Sequence, residues 1–188
     1  MSVEVLQRVV NEATRVVGNI TPDQLANPTP CAEWTVRDVV NHITGGSTMF
    51  AISAEQGSVP DDVLGKLMGG GDNLGSDYKA AWATASTRAM SAFDGLDLEK
   101  IVALPFGEMP AAIALNIAIF DVTIHATELA TSTGQEIVDT DLLETALQLA
   151  QAMIGPELRQ PGVFGPEQPC PADAPVTQRL LAFSGRSV

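Results

Sequence analysis

The sequence predicts an all-α protein, a bundle of four or five long helices. Three observations carry that prediction. Apolar residues recur at helical spacing in several separate stretches, no stretch sustains the strict alternation of a half-buried strand, and the breaks between stretches fall at Gly and Pro. At 188 residues, 45% hydrophobic and 18% charged, the chain reads as one domain over 1–188. Folding at this length buries about 70% of the unfolded surface, so neither a disulfide nor a metal is needed to hold the fold together.

The elements follow in order. Val3, Leu6, Val10, Ala13 and Val17 form the apolar stripe of a first helix over residues 2–17, with Gly18 as its C-cap. Thr21-Pro22-Asp23-Gln24 has the pattern of a capping box and predicts one short turn of helix. Thr35 is a good N-cap with Asp38 three residues on, and Val36, Val39, Val40, Ile43 and Phe50 carry the second helix to about residue 55. Gly45-Gly46 within it costs about 1 kcal/mol per glycine relative to alanine, which points to another backbone or a ligand approaching there. Residues 57–75, rich in Gly and Asp, read as a mobile surface loop.

Ser76 is the expected cap of a third helix with the stripe Tyr78, Trp82, Ala85, Ala89 and Phe93, ended by Gly95. Residues 101–109 have strand character interrupted by Pro105 and Gly107, predicting an extended connector or small hairpin. Pro110 opens a long helix to about Thr133, closed by Gly134. A fifth helix is expected from Thr140 to Ile154 and, after a proline-rich loop, a short last one from Pro175 to Gly185.

Charge and composition narrow the function classes. Acidic residues outnumber basic ones 23 to 10, for a net charge of −13, and the basic residues form no stripe, which argues against nucleic acid or an anionic membrane as partner. The N-terminus lacks a signal-peptide core, and the most apolar stretch, Ala111 to Phe120, is short for a bilayer span, so the cytoplasm is the expected compartment. Cys31 and Cys170 lie far apart and suggest neither a disulfide framework nor a zinc finger.

There are only two histidines, His42 and His125, each within a predicted long helix. Asp121 and His125 stand four residues apart, hence on one helix face, with Glu128 a turn further along. A second histidine facing that pair would complete two imidazoles and a carboxylate around a divalent metal, with the open positions typical of catalytic sites. The spacing fits equally a hydrogen-bonded core histidine with a helical ion pair. The ligand types suit zinc, nickel and ferrous iron alike. Cys31 sits where a helix N-terminus lowers a thiol pKa, against the plainer reading of a small buried hydrophobe. Trp34 and Trp82 read as core anchors.

Three segments carry a resemblance. TPCAEWTVRDVVNHI (Thr29 to Ile43), DVTIHATELATSTG (Asp121 to Gly134) and FGPEQPCPADAPVTQRLLAFSGR (Phe164 to Arg186) are similar to the DinB-like superfamily, in its actinobacterial metal-binding branch, which includes the mycothiol-dependent maleylpyruvate isomerase N-terminal domains. The resemblance implies a DinB-like four-helix bundle with additional C-terminal helices and a metal between helices. It places ligands at His42, Asp121 and His125. The isomerase has glutamate in place of Asp121, and a separate C-terminal domain where this chain has a short helix. The resemblance also implies a transferase or isomerase using a low-molecular-weight thiol such as mycothiol on a small electrophile, with zinc first and nickel or iron as alternatives. Glu128 is the candidate catalytic residue, to orient a ligand or move a proton. A non-catalytic metal-binding or sensing protein and a mononuclear iron oxygenase are the competing functions, and a homodimer stays open.

Overall fold

The computed structural model describes residues 1–160 and 163–187. In chain order its elements are α1 (Val3–Asn19), a 3-10 turn (Pro22–Ala26), α2 (Val36–Gln56), α3 (Asp61–Met68) and α4 (Tyr78–Phe93). There follow β1 (Ile101–Leu104), β2 (Gly107–Pro110), α5 (Ala111–Ser132), α6 (Thr140–Met153), a second 3-10 turn (Pro156–Leu158) and α7 (Val176–Phe183). The all-α class is as predicted, and the one sheet is a hairpin of two short antiparallel strands.

Helices α1, α2, α4 and α5 close a four-membered ring, α2 against α4 and α5, α1 against α5 and α4. The apolar stripes read from the sequence meet inside that ring in one cluster running from Leu6 to Leu181. Helices α6 and α7 pack on each other and on the outer side of α5. That second layer explains why α5 is apolar nearly all round. At 22 residues α5 has the length and composition of a bilayer span, longer than the stretch Ala111 to Phe120 suggests, but 72% of its apolar window is buried within the bundle, as in the core helix of a packed protein.

Local chemistry sets the ends of the helices. Thr35 caps α2 in a reciprocal box: Thr35 Oγ1 accepts from the Asp38 amide at 3.3 Å and Asp38 Oδ2 accepts from the Thr35 amide at 2.9 Å. Asp77, and not Ser76, caps α4, accepting from the amides of Lys79 and Ala80. Helix α1 runs past Gly18 because the carbonyls at its end find outside donors: Lys79 Nζ donates to Gly18 O at 2.6 Å and Tyr78 Oη to Ile20 O at 2.7 Å.

The loop expected over 57–75 contains the eight-residue helix α3. Its Asp61-Asp62 start is favoured by the helix dipole and Leu64 and Leu67 pack on the core, but it is short and carries Gly65 inside. The rest of the loop is tied down by Asn73, which donates from Nδ2 to Asn41 O and Leu67 O. The small hairpin docks on the end of α2, with the Ala103 amide donating to Gly57 O at 2.7 Å and Ser53 Oγ to Ala103 O at 2.8 Å. The proline-rich loop after α6 includes Pro161 and Gly162, which lie outside the described residues.

Candidate metal centre

Helix α2 carries His42 two turns from its capped start, and α5 carries Asp121, His125 and Glu128 near its middle. The glycine pair of α2 faces two different neighbours. A Cβ on Gly45 would lie 2.5 Å from the Leu67 carbonyl oxygen, so another backbone does approach there. A Cβ on Gly46 would lie 3.5 Å from Asp121 Oδ2, so the second glycine faces the carboxylate itself.

The structure brings His42, Asp121 and His125 together, one ligand atom of each within 4.8 Å of the others. Asp121 Oδ1 lies 3.3 Å from His42 Nε2 and 3.6 Å from His125 Nε2. Asp121 Oδ2 is buried and has no hydrogen-bond partner. One carboxylate oxygen thus faces both imidazole nitrogens while the other is left without a partner, and the three side chains together are a donor set of the kind that holds a divalent cation.

Behind His125 a chain of charged groups runs into the core. Glu128 is fully buried, and its Oε2 accepts from His125 Nδ1 at 2.6 Å. That bond puts the imidazole proton on Nδ1 and leaves the Nε2 lone pair facing the centre. Glu128 Oε1 accepts from Arg186 Nε at 2.7 Å, and Arg186 Nη1 donates to Ser184 O at 2.8 Å. The guanidinium lies over the Phe164 ring, 5.4 Å from its centroid. Arg186, only 7% exposed, reaches the bundle from beyond α7, and sequence reasoning assigned it no role. No local pattern marked it, since Arg179 stands in the same segment and Arg186 follows Gly185, past the end of α7.

The aromatic side of the centre also differs from expectation. Trp82 is a core anchor, with Nε1 donating to Thr14 Oγ1 at 2.9 Å. Trp34 is only partly buried and lies on the imidazoles, its ring centroid 4.9 Å from that of His42 and 5.7 Å from that of His125. The two imidazoles meet edge to face at 4.6 Å. Trp34 is therefore a wall of the centre as well as a packing residue.

Charge explains the shifted titrations. Burial alone would lower the pKa of His42, but the Asp121 carboxylate outweighs it and raises the value. Burial alone would raise Asp121 and Glu128; for Asp121 the two histidines and Arg186 reverse this, and for Glu128 His125 and Arg186 do so, holding both carboxyls below their usual range. Cys31 goes the other way: burial, with the Glu128 charge nearby, pushes its thiol up to about 11. It stands outside the three-residue cluster, is partly buried, and with its raised value is a poor nucleophile at neutral pH. Gly71 serves the loop, its carbonyl accepting from Asn41 Nδ2 at 2.9 Å.

Comparison with known proteins gives three findings. The family model of the mycothiol maleylpyruvate isomerase N-terminal domain matches residues 6–130. Uncharacterized proteins from two strains of Mycobacterium tuberculosis are each 34% identical over 184 residues, covering 97% of this chain and 96% of theirs. The crystal structure of a histidine-to-alanine mutant of mycothiol-dependent maleylpyruvate isomerase superposes with a TM-score of 0.61 at 16% identity, over 84% of this chain and 68% of that one, a likeness of fold.

Proposed function

We propose, from the premise that this chain belongs to the mycothiol maleylpyruvate isomerase N-terminal domain family, that it is a metal-dependent transferase or isomerase acting on a small electrophile with a low-molecular-weight thiol of the mycothiol kind. His42, Asp121 and His125 hold one divalent cation, zinc before nickel or iron. The observation that carries the reading is that Asp121 Oδ1 lies within 3.6 Å of two imidazole Nε2 atoms while its Oδ2 is buried without a partner, one of the imidazoles being fixed as a lone-pair donor by Glu128. Two solvent-accessible groups, His42 and Asp121, each 22% exposed, leave the centre reachable from outside.

A bound divalent ion supplies Lewis acidity, which favours the thiolate form of a thiol at neutral pH. The chain's own charges suit that species. Glu128 and Arg186 cancel each other, and Asp121 with two neutral imidazoles leaves an ion of charge +2 with one unit uncompensated, so an anionic sulfur is accepted without accumulating negative charge. Glu128 orients His125 and does not meet substrate, because both its oxygens are engaged and it is fully buried. Of the two roles open to it from sequence, orientation fits its surroundings.

Untagged protein stripped with a chelator and reloaded with cobalt(II) tests the reading. One cobalt per chain is expected in the wild type, with stoichiometric binding lost in His42→Ala and in His125→Ala. Titration with cysteine, glutathione and mycothiol should then produce an intense sulfur-to-cobalt band in the near ultraviolet, retained in Cys31→Ser and Cys170→Ser. Stoichiometric cobalt with no such band for any thiol leaves a metal-binding protein without the thiol step, and full cobalt in both histidine variants removes the site itself.

A further inference from the structure

The two imidazoles of the centre are supported unequally. His125 donates from Nδ1 to a buried carboxylate, the usual support of a metal-binding histidine. Among the described residues no hydrogen bond is made by His42 Nδ1; the ring's only hydrogen-bond contact is the one from Nε2 toward Asp121. Two rings lie against that of His42 instead: the His125 imidazole, edge to face at 4.6 Å, and the Trp34 indole, 4.9 Å between centroids and tilted by 49°. That spacing is within the range in which aromatic rings attract beyond simple burial.

We propose that Trp34 is the positioning residue of His42, a ring clamp in the place where His125 has a carboxylate. The proposal rests on the reading of His42 as a metal ligand. The backbone that carries the indole is held in place. Thr29 Oγ1 donates to Trp34 O at 2.9 Å, the Trp34 amide donates to Cys31 O at 3.1 Å, and residues 28 and 35 form an antiparallel bridge. From the other end of the chain, the Ser187 amide donates to Pro30 O at 3.4 Å. Glu33, just before the tryptophan, sits at φ +68°, the left-handed region that a non-glycine residue enters only when its surroundings compel it. The turn thus sets Trp34 against both imidazoles, closer to His42 but tilted to it by 49°, and more distant from His125, nearly parallel to it at 24°; His125 is already held by Glu128, whereas His42 has no such support.

The test compares Trp34→Leu, which keeps apolar bulk but no flat ring, with Trp34→Phe, which keeps a ring. Two readouts are taken on the full untagged chain: cobalt(II) affinity by chelator competition, and carbon-13 relaxation of the imidazole Cε1–H groups in metal-free protein. The second is unambiguous because the chain has only two histidines. Trp34→Leu is expected to lose about tenfold in cobalt affinity, in the range found for groups that orient ligands, while Trp34→Phe stays within about threefold of wild type. The His42 ring should become more mobile in Trp34→Leu, with His125 unchanged and both rings ordered in Trp34→Phe. Wild-type affinity in Trp34→Leu, or a His42 ring as ordered there as in the wild type, overturns the proposal. If Trp34→Leu does not fold, the decision falls to Trp34→Phe, where a mobile His42 ring or a tenfold loss of affinity overturns it and ordered rings with retained affinity support it. Failure of the wild type to bind cobalt would instead remove the metal reading, and the relaxation data in metal-free protein would still report on the clamp.

Discussion

His42 and His125 approach the same oxygen of Asp121, at 3.3 and 3.6 Å, from two sides of the centre built on different physics. The α5 side is electrostatic and deep. His125, Glu128 and Arg186 form a line of alternating charge and hydrogen bonds with no member more than 8% exposed, anchored on the far end of the chain. The α2 side is a matter of packing and is shallow: an indole against a ring, two glycines, and Asn41 stitched to the loop that ends in Asn73. Buried charges are costly to strand, so the α5 side behaves as a unit that is intact or lost. Packing against one half-exposed ring fails by degrees.

The largest test of that contrast is Glu128→Ala. It leaves the Arg186 guanidinium buried without its carboxylate and frees His125 Nδ1. A loss of about 3–5 kcal/mol of stability is expected in urea unfolding of metal-free protein. Arg186→Met should cost a similar amount, and the two effects should be far from additive in the double variant Glu128→Ala with Arg186→Met, where no charge is stranded. Trp34→Leu should cost much less. Equal losses in Glu128→Ala and Trp34→Leu would break the contrast.

The pH dependence separates the same two sides with smaller effects. Glu128 and Asp121 titrate below their ordinary values of 4.5 and 3.8, so the stability they contribute to metal-free protein is present above those values and is lost as pH falls through their folded pKa. His42 titrates above its ordinary 6.5, so its contribution is present below pH 6.5 and lost as pH rises through the raised value. The melting temperature of metal-free protein should therefore decline on both sides of the interval between 4.5 and 6.5. His42→Ala should flatten the alkaline limb and, because His42 is the first charge that lowers Asp121, weaken the acid limb in part, leaving the share carried by Glu128. Cobalt affinity should rise across that same limb, because the ion competes with the His42 proton. An alkaline limb that persists in His42→Ala would assign it to some other group.

These differences in physics also decided what could be read in advance. The helices of the ring were legible because each repeats an apolar residue every three or four positions and closes on a cap or glycine, as Thr35 and Gly134 do. Helix α3 was not, since DDVLGKLM is only eight residues long, has Gly65 in its middle and lies among glycine-rich stretches that read as loop. In the centre, Asp121, His125 and Glu128 share one helix and announce themselves by spacing, and His42 was reached through the motif around it. Arg186 was invisible because its partner stands 58 residues away, and no local pattern records a contact made by folding the chain's end onto α5. Trp34 was seen but placed in the core, because a tryptophan at the entrance to a helix looks the same whether it covers leucines or imidazoles.

The smallest expected effect concerns Gly46, where the two sides meet. Replacing it by alanine puts a Cβ at 3.5 Å from Asp121 Oδ2, an ordinary contact, and restores about 1 kcal/mol of helix propensity to α2. If the carboxylate keeps its present orientation, Gly46→Ala should melt slightly higher than wild type, with cobalt affinity within about threefold, since an outer contact with no lost hydrogen bond perturbs the ligand little. The alternative outcome is informative. A stabilised protein whose cobalt affinity falls by more than tenfold would mean that Asp121 must swing toward α2 to bring its unpartnered Oδ2 to the ion, and that the glycine keeps that space open. The adaptable part of the centre would then be the carboxylate on α5, and the fixed part would begin only at His125, one turn deeper along the same helix.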